Sequence, residues 1–133
     1  MATIPTGFEP HFRKSPLTDP WEPLYSKREP ESVTLGFVAG EHHTNSRGFV
    51  HGGLLTALAD NAMGLSCGIQ LENAGLVTLS LGIDFLSTAQ RDQWIEIRTT
   101  FTKVGKSVCF AQSFVYADGK PVARANATFA VRS

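Results

Sequence analysis

The residues best suited to chemistry lie where a glycine-containing loop leads into an apolar stretch of helical character. Gly52 and Gly53 stand at the predicted helix start, where backbone N–H groups lack helical partners and lie at the positive end of the helix dipole. Because glycine leaves such groups unobstructed, they could stabilise the oxyanion formed when a carbonyl is attacked; one donor contributes ~3 kcal/mol. The same glycines could instead simply permit a tight junction between loop and helix.

Asp60 is the only charged residue in the predicted helix, residues 54–71. Apolar side chains occur nearly all round this helix, which predicts that it is buried. Burying an unpaired carboxylate is costly, and no cation lies on the same helical face. Asp60 is therefore expected either to accept structural hydrogen bonds or to act chemically.

The remaining polar candidates have simpler interpretations. His51 could act as a general base near neutral pH, but we favour a role in which its ring bonds to the loop backbone. His42 and His43 are expected in an exposed loop and have no matching third ligand, so no metal site is predicted. Thr78 and Ser80 are expected on the polar side of the strand after the helix.

The rest of the chain predicts an α+β fold, with one long central helix wrapped by a curved antiparallel sheet of five to six strands. Alternating apolar residues from Val77 to Phe85 predict a strand with one apolar face. Asp118-Gly119 is a strong hairpin signal. The predicted strands cover residues 24–27, 32–39, 77–85, 94–101, 108–116 and 122–131. Such a sheet leaves an exposed edge, so pairing of edges in a homodimer is expected.

Composition indicates a single domain of 133 residues, with an irregular, proline-rich segment over 1–23 lying on the domain body, 24–133. Lysine plus arginine equals aspartate plus glutamate at 12 each, which argues against a nucleic-acid partner. No leader or membrane-span pattern is evident, so a cytoplasmic protein without a membrane partner is expected. Cys67 and Cys109 lie in apolar runs and are expected to be buried free thiols.

One combination of these residues resembles the hot-dog-fold acyl-CoA thioesterases of the PaaI-like group. It consists of Asn45, Gly48, His51, Gly52, Gly53 and Asp60. The resemblance extends over residues 24–131 and implies hydrolysis of acyl-CoA thioesters to free acid and CoA. It implies that Asp60 acts as nucleophile or general base and that the Gly52 N–H polarises the carbonyl. It implies that Asn45 positions the carbonyl or the water and that His51 supports the loop beside the thioester. It also implies that Thr78 assists the water.

The resemblance also implies how the substrate and a second subunit take part. CoA belongs to the substrate, so no separate cofactor is expected. The candidate substrate-binding residues are Gly53, Lys103, Gly105, Lys106 and Ser107. The protein is expected to be a homodimer or a dimer of dimers, with Asp60 facing the Gly52 loop of another subunit. Two alternatives remain open: a non-catalytic acyl-CoA-binding protein, and a hydratase or dehydratase of the same fold.

Overall fold

The computed structural model describes residues 2–132 and consists of one long helix held against one antiparallel sheet. The helix α1 covers Gly52–Gly68. The strands are β1 (Glu9–Pro10), β2 (Tyr25–Glu29), β3 (Ser32–Val38), β4 (Gly75–Phe85), β5 (Trp94–Val104), β6 (Val108–Ala117) and β7 (Lys120–Arg132). Short 3-10 turns occupy Asp19–Trp21 and Glu41–His43.

The predicted fold class is confirmed, and the sheet has more strands than the five to six expected. Its seven strands follow the order β1-β2-β3-β5-β6-β7-β4. The additional strand is the two-residue β1, in which Glu9 and Pro10 pair with Ser26 and Tyr25 of β2. Two residues are too few to show the alternation that reveals a strand in a sequence.

Helix α1 buries one face only. That face packs mainly against β3, β5 and β6 and consists of Leu54, Leu55, Leu58, Ala59, Ala62, Met63, Ser66 and Cys67. The opposite face, which includes Asp60 and Gly64, is half-buried. The prediction that the helix and its acid are buried all round is therefore wrong for the single chain, because the sheet covers one side and leaves a cleft on the other.

The hairpin between β6 and β7 is confirmed. Asp118 and Gly119 form its turn with φ values of 47° and 83°. Positive φ at both central residues matches the right-handed twist of the flanking strands, and glycine adopts it without strain.

Strand β4 forms a free edge of the sheet and contains a bulge. Thr78 lies opposite Phe129 of β7, whereas Ser80 lies opposite the next residue, so Leu79 is extra. The bulge reverses the alternation, and Val77 and Leu79 are 50% and 57% exposed. The single apolar face predicted from Val77 to Phe85 is therefore wrong, because periodicity does not reveal an inserted residue.

The N-terminal segment packs on the sheet. Phe8 makes an edge-to-face contact with Trp94, with ring centroids 5.1 Å apart. The backbone N–H of His11 donates to the carbonyl oxygen of Leu24 over 2.9 Å. These contacts fix the path of the chain from the sheet edge to the helix.

Two further findings concern membrane-spanning helices and the two cysteines. Among residues 2–132, no helix is both long enough and apolar enough to span a bilayer. Cys67 and Cys109 are both buried, as predicted. Burial, with a smaller contribution from Cys109, raises the pKa of the Cys67 thiol to about 12.

Candidate active site

A hydrogen bond joins the helix to the edge strand at the acid singled out in the sequence. The hydroxyl of Thr78 donates to Oδ1 of Asp60 over 2.7 Å. Within residues 2–132 the second carboxylate oxygen, Oδ2, has no protein donor. The pair thus holds the carboxylate in one orientation and leaves an oxygen available to a substrate or a water molecule.

The bulge in β4 determines which hydroxyl reaches Asp60. Thr78 precedes the bulge and faces the helix. Ser80 follows it and faces outward, beside Asn126 and Thr128. The expectation that both hydroxyls share one side of the strand is wrong, and the bulge re-aims one of them, as bulges beside functional sites commonly do.

At the start of α1 the Gly53 N–H is engaged and the Gly52 N–H is free. His51 is the N-cap residue, and its Nδ1 accepts from the Gly53 N–H over 2.8 Å. This places His51 in the loop-fixing role favoured above. Within the described part of the chain, the Gly52 N–H has no acceptor. A Cβ atom at Gly52 would lie 3.0 Å from the Phe85 ring, so the surroundings of this donor are tight.

The free donor and the acid cannot serve the same carbonyl within one chain. Asp60 lies eight residues after Gly52 in the same helix. At 1.5 Å per residue the two are separated by about 12 Å along the axis. An oxyanion donor must lie about 3 Å from the developing charge, and the attacking group must touch the same carbon. A site that used both groups would therefore need Gly52 and Asp60 from different subunits.

Asn45 organises the loop before the helix. Its Oδ1 accepts from the backbone N–H groups of Arg47 over 2.9 Å and Phe49 over 3.1 Å. Gly48 lies between them with φ of 85°, which explains the glycine there. The side-chain oxygen of Asn45 is thus engaged in the loop, and only its amide nitrogen remains for a ligand.

The residues proposed to contact CoA lie apart from the Asp60 cleft of their own chain. Lys103, Gly105, Lys106 and Ser107 form or flank the turn between β5 and β6. Gly105 donates to the carbonyl oxygen of Val108 over 3.1 Å. Both lysines are exposed.

The sequence reasoning missed the contribution of the N-terminal segment to the cleft around Asp60. This cleft has a volume of about 370 Å³. One side presents Asp60 and Thr78, and the N-terminal segment contributes His11, Arg13 and Lys14. A proline-rich stretch has no periodicity, so the sequence does not predict that it packs against the helix. The histidine and the adjacent cations were the only residues in this stretch that could have indicated a functional role.

His43 differs from the exposed histidine that was expected, since its side chain is buried. Its Nδ1 accepts from the Gly40 N–H over 2.9 Å, and its Nε2 lies 2.8 Å from the carbonyl oxygen of Trp21. These partners require a neutral ring protonated at Nε2. Burial lowers the pKa of His43. Of the two adjacent histidines, His42 is the exposed one.

A long helix against a curved antiparallel sheet, with an acid on the helix and a glycine pair at its start, defines a hot-dog-fold protein. A family model described as the thioesterase superfamily matches residues 47–123, and the chain belongs to that superfamily.

Three similar proteins support this assignment. The chain is 33% identical over 131 residues to a putative esterase of Pseudomonas aeruginosa, covering 97% of this chain and 98% of that protein. It is 30% identical over 82 residues to mouse acyl-coenzyme A thioesterase 13, covering 62% and 59% respectively. A mutant of the phenylacetic acid degradation protein PaaI from Thermus thermophilus superposes with a TM-score of 0.77 at 23% identity, covering 87% and 98%. The resemblance to hot-dog thioesterases of the PaaI-like group is thereby confirmed.

Proposed function

We propose that this protein hydrolyses acyl-CoA thioesters to a free acid and CoA. The observation that carries the proposal is the 2.7 Å hydrogen bond from Thr78 to Asp60. It orients a carboxylate in a cleft that is open to a substrate, with one oxygen unengaged. Membership of the thioesterase superfamily and the likeness to an acyl-coenzyme A thioesterase support a thioester as the reacting bond.

In the proposed reaction, the Gly52 N–H donates to the thioester carbonyl oxygen and stabilises its developing negative charge. Asp60 acts in one of two ways. As a general base it takes a proton from water while the water oxygen bonds to the acyl carbon. As a nucleophile it bonds to that carbon itself, and water then hydrolyses the anhydride. Either route breaks the C–S bond, and the CoA thiolate leaves and takes up a proton.

Thr78, His51 and Asn45 have supporting roles in this proposal. Thr78 fixes the carboxylate, so that its free oxygen points to the water or the acyl carbon. His51 engages the Gly53 N–H and leaves the neighbouring Gly52 N–H available as a donor. Asn45 shapes the loop with its oxygen and can offer its amide nitrogen to the carbonyl or the water.

The site is proposed to form between two copies of the chain. The separation of about 12 Å between Gly52 and Asp60 supports this, because one chain cannot bring both groups to the same carbonyl. Strand β4 supplies a free edge, and Val77, Leu79 and Phe85 on it are each about half exposed. Exposed edges of this kind invite pairing with another copy. We propose a homodimer through this edge, or a dimer of dimers that also covers the exposed outer-face rings of Phe101 and Phe110.

CoA recognition is proposed to involve residues of the turn between β5 and β6. Lys103 and Lys106 are exposed cations that could meet phosphates, with Gly105 and Ser107 as backbone contacts. Since they lie away from the Asp60 cleft of their own chain, they are proposed to act on a substrate held between subunits.

The proposal is tested with purified protein and a panel of short, medium, long and aromatic CoA thioesters, detecting released thiol with a dye. Asp60→Asn keeps the side-chain size and removes the carboxylate, so turnover should collapse. Asp92→Asn makes the same change at an exposed position and should retain activity. Absence of turnover across the panel, with acyl-CoA binding intact, would refute hydrolysis and leave the non-catalytic binding protein.

Subunit complementation tests the shared site. Gly52→Pro removes the oxyanion donor, and Asp60→Asn removes the acid. In a mixed dimer of the two variants, one site combines the intact acid with the intact donor. Random mixing should restore roughly a quarter of wild-type activity, since half the dimers are mixed and each has one working site. If co-expression of the two variants restores no activity, the shared site is wrong.

A further inference from the structure

His11 is a buried polar side chain without a polar partner. It is 4% exposed, and its Nδ1 is buried with no hydrogen-bond partner among residues 2–132. Most buried polar atoms in proteins are hydrogen-bonded, so an exception calls for a physical reason. The ring lies in the wall of the cleft that contains Asp60 and Thr78. The buried Nδ1 is closed off, so a ligand in that cleft would meet the ring at Nε2, which also has no protein partner among residues 2–132.

The surroundings hold His11 in place. Its backbone N–H donates to the carbonyl oxygen of Leu24, and its ring makes an edge-to-face contact with Phe12 at a centroid distance of 5.0 Å. Burial lowers the pKa of His11; among the nearby charges Glu22 opposes this most strongly, and Lys14 and Arg13 add to it by smaller amounts. A neutral imidazole carries one N–H donor and one acceptor.

Arg13 is the cation near His11 that could serve an anionic partner. Lys14 pairs with Glu22 over 3.1 Å, so its charge is largely balanced. Arg13 also lines the cleft and makes no ion pair within the part of the chain that the structure describes. The N-terminal wall therefore offers a neutral N–H donor beside an uncompensated guanidinium, a combination suited to a carboxylate.

The rest of the cleft suits the carbon chain of an acyl group. Along the helix, Asp60 is followed on the cleft side by Gly64 and then by Gly68, which lies about 12 Å further along the axis. Because glycine has no side chain, this part of the helix surface leaves room for a ligand. Leu76 and Phe129 supply apolar surface beside it. An acyl chain could extend from the carbonyl at Asp60 over this surface, and Ser15 and Asn61 are the other polar side chains that line the cleft.

We propose that His11, assisted by Arg13, recognises a carboxylate at the distal end of the acyl group. The preferred substrates are then CoA monothioesters of dicarboxylic acids. This inference rests on the proposed thioesterase function and specifies its substrate class. His11 is a specificity-determining residue, and it takes no part in bond breaking. The acyl chain separates the distal carboxylate from Asp60, which limits repulsion between the two anions.

The test compares matched thioesters that differ only in the distal carboxylate: pentanoyl with glutaryl, hexanoyl with adipoyl, and octanoyl with suberoyl CoA. The wild-type protein should favour the dicarboxylic member of at least one pair by about tenfold or more in kcat/KM. His11→Leu, which fills similar space without polar atoms, should reduce that preference about tenfold and leave the monocarboxylic substrate nearly unaffected. Arg13→Gln should act in the same direction.

Arg91→Gln is the control, because it makes the same change as Arg13→Gln at an exposed arginine that does not line the cleft. A wild-type protein with no preference in any pair, or a preference unchanged in His11→Leu, would overturn the inference. Melting temperature is measured for each variant, and His11→Leu should be at least as stable as wild type, since it removes an unpaired buried atom.

Binding separates this inference from the proposed reaction. Calorimetry on the Asp60→Asn protein measures affinity for adipoyl-CoA and hexanoyl-CoA without relying on hydrolysis. A carboxylate preference that disappears when His11→Leu is added supports recognition even if no thioester is turned over. Turnover without such a preference leaves the thioesterase standing and refutes the role of His11.

Discussion

Replacement of Gly52 by proline should remove the proposed oxyanion donor while leaving the fold intact. Gly52 is the first residue of α1, the position at which proline fits a helix best. His51 before it has φ of −65° and ψ of 130°, an extended conformation that proline tolerates in its predecessor. The lost N–H has no acceptor among residues 2–132, so no protein hydrogen bond is broken. Gly52→Pro should therefore unfold at nearly the wild-type urea concentration.

The expected catalytic loss follows from the role of a single donor. Removing one oxyanion-hole hydrogen bond costs about 3 kcal/mol in the transition state, which corresponds to roughly a hundredfold or greater fall in kcat. The assay measures kcat and KM on the best CoA thioester of the panel. KM should change much less than kcat, because the donor acts mainly on charge that develops during the reaction.

Gly52→Ala is the matched control for the proline variant. Both add a Cβ atom that would lie 3.0 Å from the Phe85 ring, but only alanine keeps the N–H. Any loss shared by the two variants comes from crowding, and the additional loss in Gly52→Pro measures the donor. Equal kcat values in two folded variants would refute the assignment of Gly52 as oxyanion donor.

Four further outcomes follow from individual contacts. Thr78→Val should lower kcat/KM about tenfold or more, because it removes the donor that orients Asp60; Thr78→Ser should restore most of it. His51→Ala should destabilise the protein by about 1 kcal/mol in urea unfolding, since it removes the helix N-cap. Native Cys67 should resist thiol reagents at pH 8, because its pKa is raised to about 12 by burial. The stability attributable to His43 should fall as the pH drops below 6.5, because its folded pKa is lowered and the unfolded chain then binds the extra proton.

Controls and contrary results are specific to each case. Thr128→Val makes the same change on the outer face and should be silent, so equal activity losses at the two threonines would contradict the Thr78 argument. Retained stability in His51→Ala would show that the cap contributes little. Fast labelling of Cys67 without unfolding would contradict its burial. His43→Gln should reduce the pH dependence of the urea midpoint between pH 7.5 and 5.5, and an unchanged slope would contradict the assignment.

Most of the fold was predictable because its signals are local. Period-two alternation identified the long strands, and the Asp118-Gly119 turn identified a hairpin. The helix was predicted over 54–71 but runs Gly52–Gly68, because His51 caps it two residues earlier. Local patterns do not show which helix face the sheet will cover, and for that reason Asp60 was expected to be fully buried.

The candidate site was predictable where one segment contains all the relevant residues. The loop from Asn45 to Gly53 and the acid at Asp60 stand close together in the chain. The contact between Thr78 and Asp60 crosses from strand to helix and was not predicted; the resemblance to a family drew attention only to Thr78, as a residue that assists the water. His11 joins the cleft through the pairing of a two-residue strand, and that placement depends on tertiary packing alone.

The bulge at Leu79 also determines which side chains at the two ends of β4 point to the same face. Thr78 supports the acid and Phe85 packs beside Gly52, and the two are seven residues apart on one strand. In a regular strand, residues an odd number apart point to opposite faces. The extra residue turns that odd count into an even one, so both ends of the strand meet the same helix. Deletion of Leu79 would make the strand regular, and either the Thr78 contact with Asp60 or the Phe85 contact with Gly52 would then be lost.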